Sequence, residues 1–205
     1  MEELKKRIVD KATQLFLKQG PKGVTMDQVS DDCGISKRTL YQNFKDKNEL
    51  LLVCLEHIHL TQNEKRTHLK QTSENVIEFF ILATKEVIEQ KNKFNSNFFY
   101  EIQKFFPAVA DYHNSISQKV LIEDLSSVLE EGIKAGYFRK EIKINVSLWL
   151  LKGQIDLLYF SDIVTKINLS FSETFQCLIS LFLRGIATPE GLEVLSRYEK
   201  TWLDS

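Results

Sequence analysis

The hexapeptide Ser36-Lys37-Arg38-Thr39-Leu40-Tyr41 sets Lys37, Arg38 and Thr39, three hydrogen-bonding side chains, directly after Ser36, with Leu40 and Phe44 spaced to face inward. Lys and Arg bond the O6 and N7 of guanine, and Thr meets a base edge or a thymine methyl. Lys37, Arg38 and Thr39 are therefore candidates for reading bases in a major groove, with Ser36 capping the helix that presents them. Groups suited to phosphate lie around them: Thr25 and the open amides of its helix N-terminus, the Tyr41 hydroxyl, the Gln42 and Asn43 amides, Lys45 and Lys47. The competing reading of these residues is a solvated basic face on an ordinary helix pair.

Other chemistry finds little support. His57 and His59 are two apart, so on a helix they point about 200° from each other and share no ion. His68 and His113 have no HExxH or cysteine partners, and the chain has no GxGxxG, Walker loop or GxSxG. We expect no metal site, no cofactor and no enzymatic activity. The aromatic residues are more informative. Phe94, Phe98, Phe99, Tyr100, Phe105 and Phe106 crowd one segment, with Phe79, Phe80, Tyr112, Trp149 and Tyr159 elsewhere. One reading makes Phe79, Phe98, Phe99, Tyr112 and Trp149 the walls of an apolar pocket, with Gln103, His113 and Gln154 as polar groups, for a hydrophobic effector. The other makes them core and interface packing. Lys152 and Asp156, one turn apart in an apolar segment, are either a buried pair or an exposed helix edge.

These residues need helices to position them, and the punctuation supplies them. Leu4, Ile8, Ala12, Leu15 and Phe16 recur at helical spacing until Gly20-Pro21 stops the run. Thr25 caps a second helix, with Gln28 completing a capping box and Val24 with Val29 as a hydrophobic staple. Cys33-Gly34 ends it, and Ser36 caps a third helix with Ile35 and Leu40 as its staple. Two short helices joined by a few residues around a glycine form a helix-turn-helix. Asp46 and Glu49 open a fourth helix that runs long from Lys47 toward Lys70. Further amphipathic segments follow at 73–91, 95–106, 108–135, 142–163 and 171–186, with a tail helix near 189–202. The segments from Val146 to Ile163 and from Phe171 to Ile186 are apolar on more than one face, which a homodimer interface would cover.

Composition agrees with an all-helical chain. Eight glycines and three prolines in 205 residues are too few for the turns of a sheet protein. No internal repeat, low-complexity tract or sustained heptad interrupts it. Charges nearly cancel, 27 Lys+Arg against 28 Asp+Glu, yet residues 1–50 carry +2 and the rest −3. Gly34 to Lys47 holds four cations and one acid, a local basic stretch suited to a polyanion. The longest uncharged run, Thr174 to Leu183, is ten residues, against the roughly 18 that a membrane helix needs. The charged amphipathic start is unlike a signal peptide, and Cys33, Cys54 and Cys177 form no CxxC pair, so we expect free thiols in a reducing cytoplasm.

The order Ala12-x-x-Leu15-Phe16-x-x-x-Gly20, Val24-Thr25-Met26-x-x-Val29-Ser30, Gly34-Ile35-Ser36-Lys37-x-Thr39-Leu40-Tyr41-x-x-Phe44-x-x-Lys47-x-x-Leu50-Leu51 resembles the amino-terminal domain of the TetR family of bacterial transcriptional regulators. The resemblance implies an all-α fold: a three-helix helix-turn-helix DNA-binding domain at 1–46, then a helical effector-binding and dimerising bundle at 47–205. Beyond the head, long helices with Gly132-x-x-x-Gly136-Tyr137-Phe138 before the last two resemble the family's layout in outline. By position, Lys37, Arg38 and Thr39 fall where the family reads bases, and Thr25, Tyr41 and Lys47 where it grips phosphate. Many members carry His directly before the Phe at position 44, whereas Asn43 stands there after Gln42. The resemblance implies a homodimer on double-stranded DNA, a repressor released from a palindromic operator by a small-molecule effector. The alternative is a small-molecule sensor that has lost DNA reading.

Overall fold

A computed structural model of the chain describes residues 3–95, 97–160 and 166–202. Those residues form an all-α protein without strands; Phe138 and Ala187 make an isolated antiparallel bridge. The helices are α1 (Glu3–Gln19), α2 (Met26–Cys33), α3 (Lys37–Asn43), α4 (Lys47–Thr72), α5 (Val76–Lys93), α6 (Phe98–Phe105), α7 (Pro107–Lys119), α8 (Leu125–Lys134), α9 (Ile144–Phe160), α10 (Phe171–Ile186) and α11 (Pro189–Trp202).

Two compact units divide the chain: Met1–Glu64 with Lys91–Ile116, and Lys65–Gln90 with Ser117–Ser205. This division of packing differs from the functional one expected at 1–46 and 47–205, because residues 47–64 and 91–116 pack with the N-terminal helices. The Asn95 amide, for example, donates to the Leu17 carbonyl at 2.6 Å.

In the first unit the helix ends follow from local chemistry. Thr25 is extended and its hydroxyl accepts the Gln28 amide, so it caps α2 as its type and spacing require. The reciprocal half of the expected capping box is absent, because the Gln28 side chain bonds Gln19 instead, at 2.8 Å. Gly34 adopts φ +62°, a left-handed conformation that a side chain would strain, and its amide closes on Ser30 and Asp31. Ser36 then caps α3 through the Thr39 amide. At the start of α4, Asp46 accepts the Glu49 amide, while the Glu49 carboxylate reaches back one residue further than expected, to the Lys45 amide. Ile8, Phe16, Val29, Leu40, Phe44 and Leu50 are almost wholly buried, so α1 to α4 each turn an apolar face inward.

In the second unit Ile77, Phe80, Leu129, Phe138, Leu148 and Leu183 belong to one apolar core. Asn75 caps α5 by accepting the Ile77 and Glu78 amides, which explains why that helix starts later than the expected 73. The segment expected as one helix over 108–135 is instead α7 and α8 joined by a π-helical turn at Val120–Asp124, where the Leu125 amide reaches the Val120 carbonyl. One inserted residue of that kind rotates everything after it by about 100°. α8 ends where Gly132 to Arg139 suggested. Gly132 lets the Phe138 ring lie on the helix, since a Cβ there would sit 2.2 Å from the ring. Of the segment expected over 142–163, α9 covers Ile144–Phe160, and 161–163 lie outside the described residues. Lys152 and Asp156 form a partly buried pair within α9, Nζ to Oδ1 2.6 Å.

Candidate nucleic-acid interface

The helix-turn-helix buries Leu40 and Phe44, leaves Thr39 and Asn43 half-buried and turns the other side chains of α3 to water. Lys37, Arg38, Tyr41, Gln42 and Lys45 are exposed, with Tyr41 at 50%. Because 37, 38, 41 and 42 recur at helical spacing, they form a single outward face, and Lys45 follows in the bend just past the helix end. Its cations are not equally available. Lys37 Nζ sits 2.6 Å from the Asp27 carboxylate of α2, whose hydrogen bond and charge raise the Lys37 pKa. The cation is exposed and charged, but it is already partnered by Asp27.

Thr39 is half-buried and shares a 2.8 Å hydrogen bond between its hydroxyl and that of Ser36. Both hydroxyls therefore lie at the helix start, stiffening the turn that carries Lys37 and Arg38. Asn43 donates through Nδ2 to the Thr39 carbonyl at 2.8 Å, so part of its donor capacity stays inside the helix. Thr25 is exposed at the head of α2, its oxygen accepting the Gln28 amide.

Lys47 departs most from a simple phosphate grip. Its ammonium donates to the Lys22 carbonyl at 3.2 Å and lies over the Phe106 ring at 5.3 Å. Burial lowers its pKa, and the charge of Glu101 works against that. Asp27 and Glu101 are the functional neighbours that spacing did not reveal. Each meets its lysine or backbone partner across a turn or from a distant helix, where helical periodicity carries no signal.

The residues expected to line an effector pocket fall in both units. Phe98 and Phe99 are buried in the first, their rings perpendicular at 5.1 Å. Phe99 stacks on His113 at 4.8 Å, His113 on His59 at 5.2 Å, and His59 meets Tyr112 edge-on at 5.9 Å. The two imidazoles are hydrogen-bonded, His59 Nε2 to His113 Nδ1, 3.1 Å. His59 is not among the expected residues, because its spacing to His57 within one helix carries no signal of His113 on another. Gln103, also in this unit, is exposed. Phe79 is buried in the core of the second unit against Phe80, and Trp149 is half-exposed on α9. A surface depression of about 350 Å³ in that unit is lined by Ser126, Glu130, Ile142, Lys143, Ile144 and Asn145, none of them an expected effector residue.

Comparison with known proteins adds to this geometry. Residues 8–54, from α1 into α4, match the family described as bacterial regulatory proteins, tetR family. The chain is 37% identical over 67 residues to the HTH-type transcriptional regulator YerO of Bacillus subtilis, a match covering 32% of this chain and 23% of that protein. It is 24% identical over 194 residues to the HTH-type transcriptional regulator YvkB of the same organism, covering 91% of this chain and 99% of YvkB. A transcriptional regulator from Saccharomonospora viridis, solved in complex with choline, superposes with a TM-score of 0.75 at 18% identity, over 92% of this chain and all of that one. These relatives are regulators of transcription.

Proposed function

We propose that this chain, which belongs to the TetR family of bacterial transcriptional regulators, works as a homodimeric repressor that leaves a near-palindromic operator when a small molecule binds. One observation carries the DNA-reading part: the outward face of α3, with Arg38 and Lys37 at its start and Leu40 and Phe44 buried beneath. A helix so presented lies in a major groove with its N-terminal residues at the base edges, and a twofold pair enters two successive grooves. Lys37 would exchange Asp27 for guanine acceptors. Thr25, Tyr41, Gln42, Asn43, Lys45 and Lys47 would supply the phosphate contacts that hold the register and make affinity fall with salt. The functional division is a head at 1–46 and a body at 47–205, and a protein reading chromosomal DNA works in the cytoplasm.

Dimerisation is supported by an apolar face that the single chain leaves uncovered. On α9, Val146, Trp149, Leu150, Leu157 and Phe160 are all exposed. At 100° per residue they fall within an arc of about 100°, with Gly153 in its middle. Leu181 on α10 is 66% exposed. Trp149 fits this face better than a pocket wall. The effector is small and largely hydrophobic; Phe98, Phe99, Tyr112 and His113 are the residues we assign to it, His59 joining them through its hydrogen bond. A regulator of similar fold from Saccharomonospora viridis was solved in complex with choline, which supports a small-molecule effector. Effector binding would displace α4 and shift the two heads out of register. A 100-fold preference for the non-binding spacing corresponds to about 2.7 kcal/mol of coupling.

The test begins with duplexes enriched from random-sequence DNA by the purified protein. Arg38→Ala and Lys37→Ala should relax preference at particular base pairs, about ten- to a hundredfold for Arg38. Equal losses on every sequence would refute base reading by these residues, and failure to enrich any duplex would refute the function.

A further inference from the structure

The Gly20–Gly23 turn between α1 and α2 sets the angle at which the helix-turn-helix leaves α1, and it is gripped from two sides. From α6, Glu101 Oε2 accepts the Lys22 backbone amide at 2.7 Å. The same carboxylate lies flat against Gly20: a Cβ there would stand 2.7 Å from Oε2 and 3.1 Å from both Cδ and Oε1. Gly20 has φ +83°, a conformation that favours glycine, and any Cβ there would push the Glu101 carboxylate aside. From the start of α4, the Lys47 ammonium donates to the Lys22 carbonyl at 3.2 Å. Both polar groups of one peptide-bearing residue are thus held by side chains of opposite charge. The rings of the α6 end complete the contact, with the Lys22 ammonium 4.7 Å from the Phe105 centroid and that of Lys47 5.3 Å from Phe106. A carboxylate accepting a backbone amide is among the stronger hydrogen bonds available.

We propose that Glu101 is a positioning residue for DNA reading: its carboxylate clamps the α1–α2 turn and so holds α2 and α3 at the angle that the major groove accepts. The proposal rests on the DNA-binding reading above. It makes a prediction opposite in sign to plain electrostatics. Glu101 touches no candidate DNA contact except Lys47, through its charge. Removing an acid from a polyanion-binding unit should by charge alone tighten binding. Removing a clamp should weaken it.

Two substitutions separate charge from geometry. Glu101→Asp keeps the charge and withdraws the carboxylate by one methylene; Glu101→Gln loses the charge and keeps an oxygen where the Lys22 amide needs it. Binding to an enriched duplex is measured by fluorescence anisotropy for the full-length protein, and exchange of the Lys22 amide by hydrogen–deuterium exchange. We expect Glu101→Asp to weaken binding about tenfold or more and to speed Lys22 exchange by a similar factor. Glu101→Gln should bind at least as tightly as the parent. Thermal melts confirm that each variant folds. Glu101→Asp binding like the parent, Lys22 exchange unchanged in that variant, or Glu101→Gln weakening as much as Glu101→Asp would each overturn the clamp. Failure of the parent protein to enrich any duplex would instead remove the premise, a result distinct from an intact premise with a failed clamp.

Discussion

Substituting Leu181 by Glu tests the assembly on which a palindromic operator depends. Leu181 is 66% exposed on α10. Full burial of a leucine contributes roughly 1.5–3 kcal/mol, so covering its exposed two thirds contributes about 1–2 kcal/mol. In a twofold interface each substitution counts twice, giving about 2–4 kcal/mol lost, or a dimer Kd raised about 30- to 1,000-fold. The two carboxylates brought into an apolar seam push the effect toward the upper end. Sedimentation velocity over a dilution series reads the change. Leu60→Glu is the matched control: Leu60 is 64% exposed but belongs to α4 and not to the α9 and α10 stripes. Cys177, exposed and one turn before Leu181, gives an independent readout, since alkylation should run faster in Leu181→Glu than in the parent dimer. If Leu181→Glu associates as the parent does, or Leu60→Glu disrupts association equally, the interface is not where we place it.

Two further predictions concern charge. Lys47→Ala should lower the slope of log affinity against log salt by about 1.8 per dimer, from two phosphate contacts at about 0.9 each, as measured by anisotropy titrations. Weaker binding with an unchanged slope would leave Lys47 a structural partner of Lys22 only. Burial pushes the Cys54 thiol up to about 12 from an ordinary 9.0, so the folded state keeps a proton that the unfolded chain releases. Its stabilising effect is complete below pH 9 and fades as pH climbs from 9 toward 12, and in chemical denaturation Cys54→Ala should show a flatter decline across that window.

Much of the head was legible because its determinants are close together in the chain. Thr25 and Ser36 cap helices through amides three residues on, and Gly34 ends α2 with a conformation that glycine alone adopts at low cost. Leu40 and Phe44, four apart, bury together and thereby decide which side chains of α3 face water. Every one of these inferences spans fewer than about five residues, the range over which backbone geometry ties side chains together.

What stayed hidden depends on contacts between distant stretches. The charge count over Gly34 to Lys47 is right as a count, yet it treats Lys37 and Lys47 as open cations. In the folded chain Lys37 is held by Asp27, ten residues back, and Lys47 by a carbonyl twenty-five residues back. A side chain offered to solvent by its helix can still be claimed by a neighbour across a turn, and no period in the sequence encodes that neighbour. The aromatic set shows the same limit at larger scale. Phe98, Phe99, Tyr112 and His113 do meet, through His59, whereas Phe79 and Trp149 sit in the other unit. Apolar burial is non-directional, so aromatic composition announces that rings will be covered and says nothing of which rings will share a cover. Directional contacts, the carboxylate on the Lys22 amide above all, are what turn that covered mass into a head held at one angle.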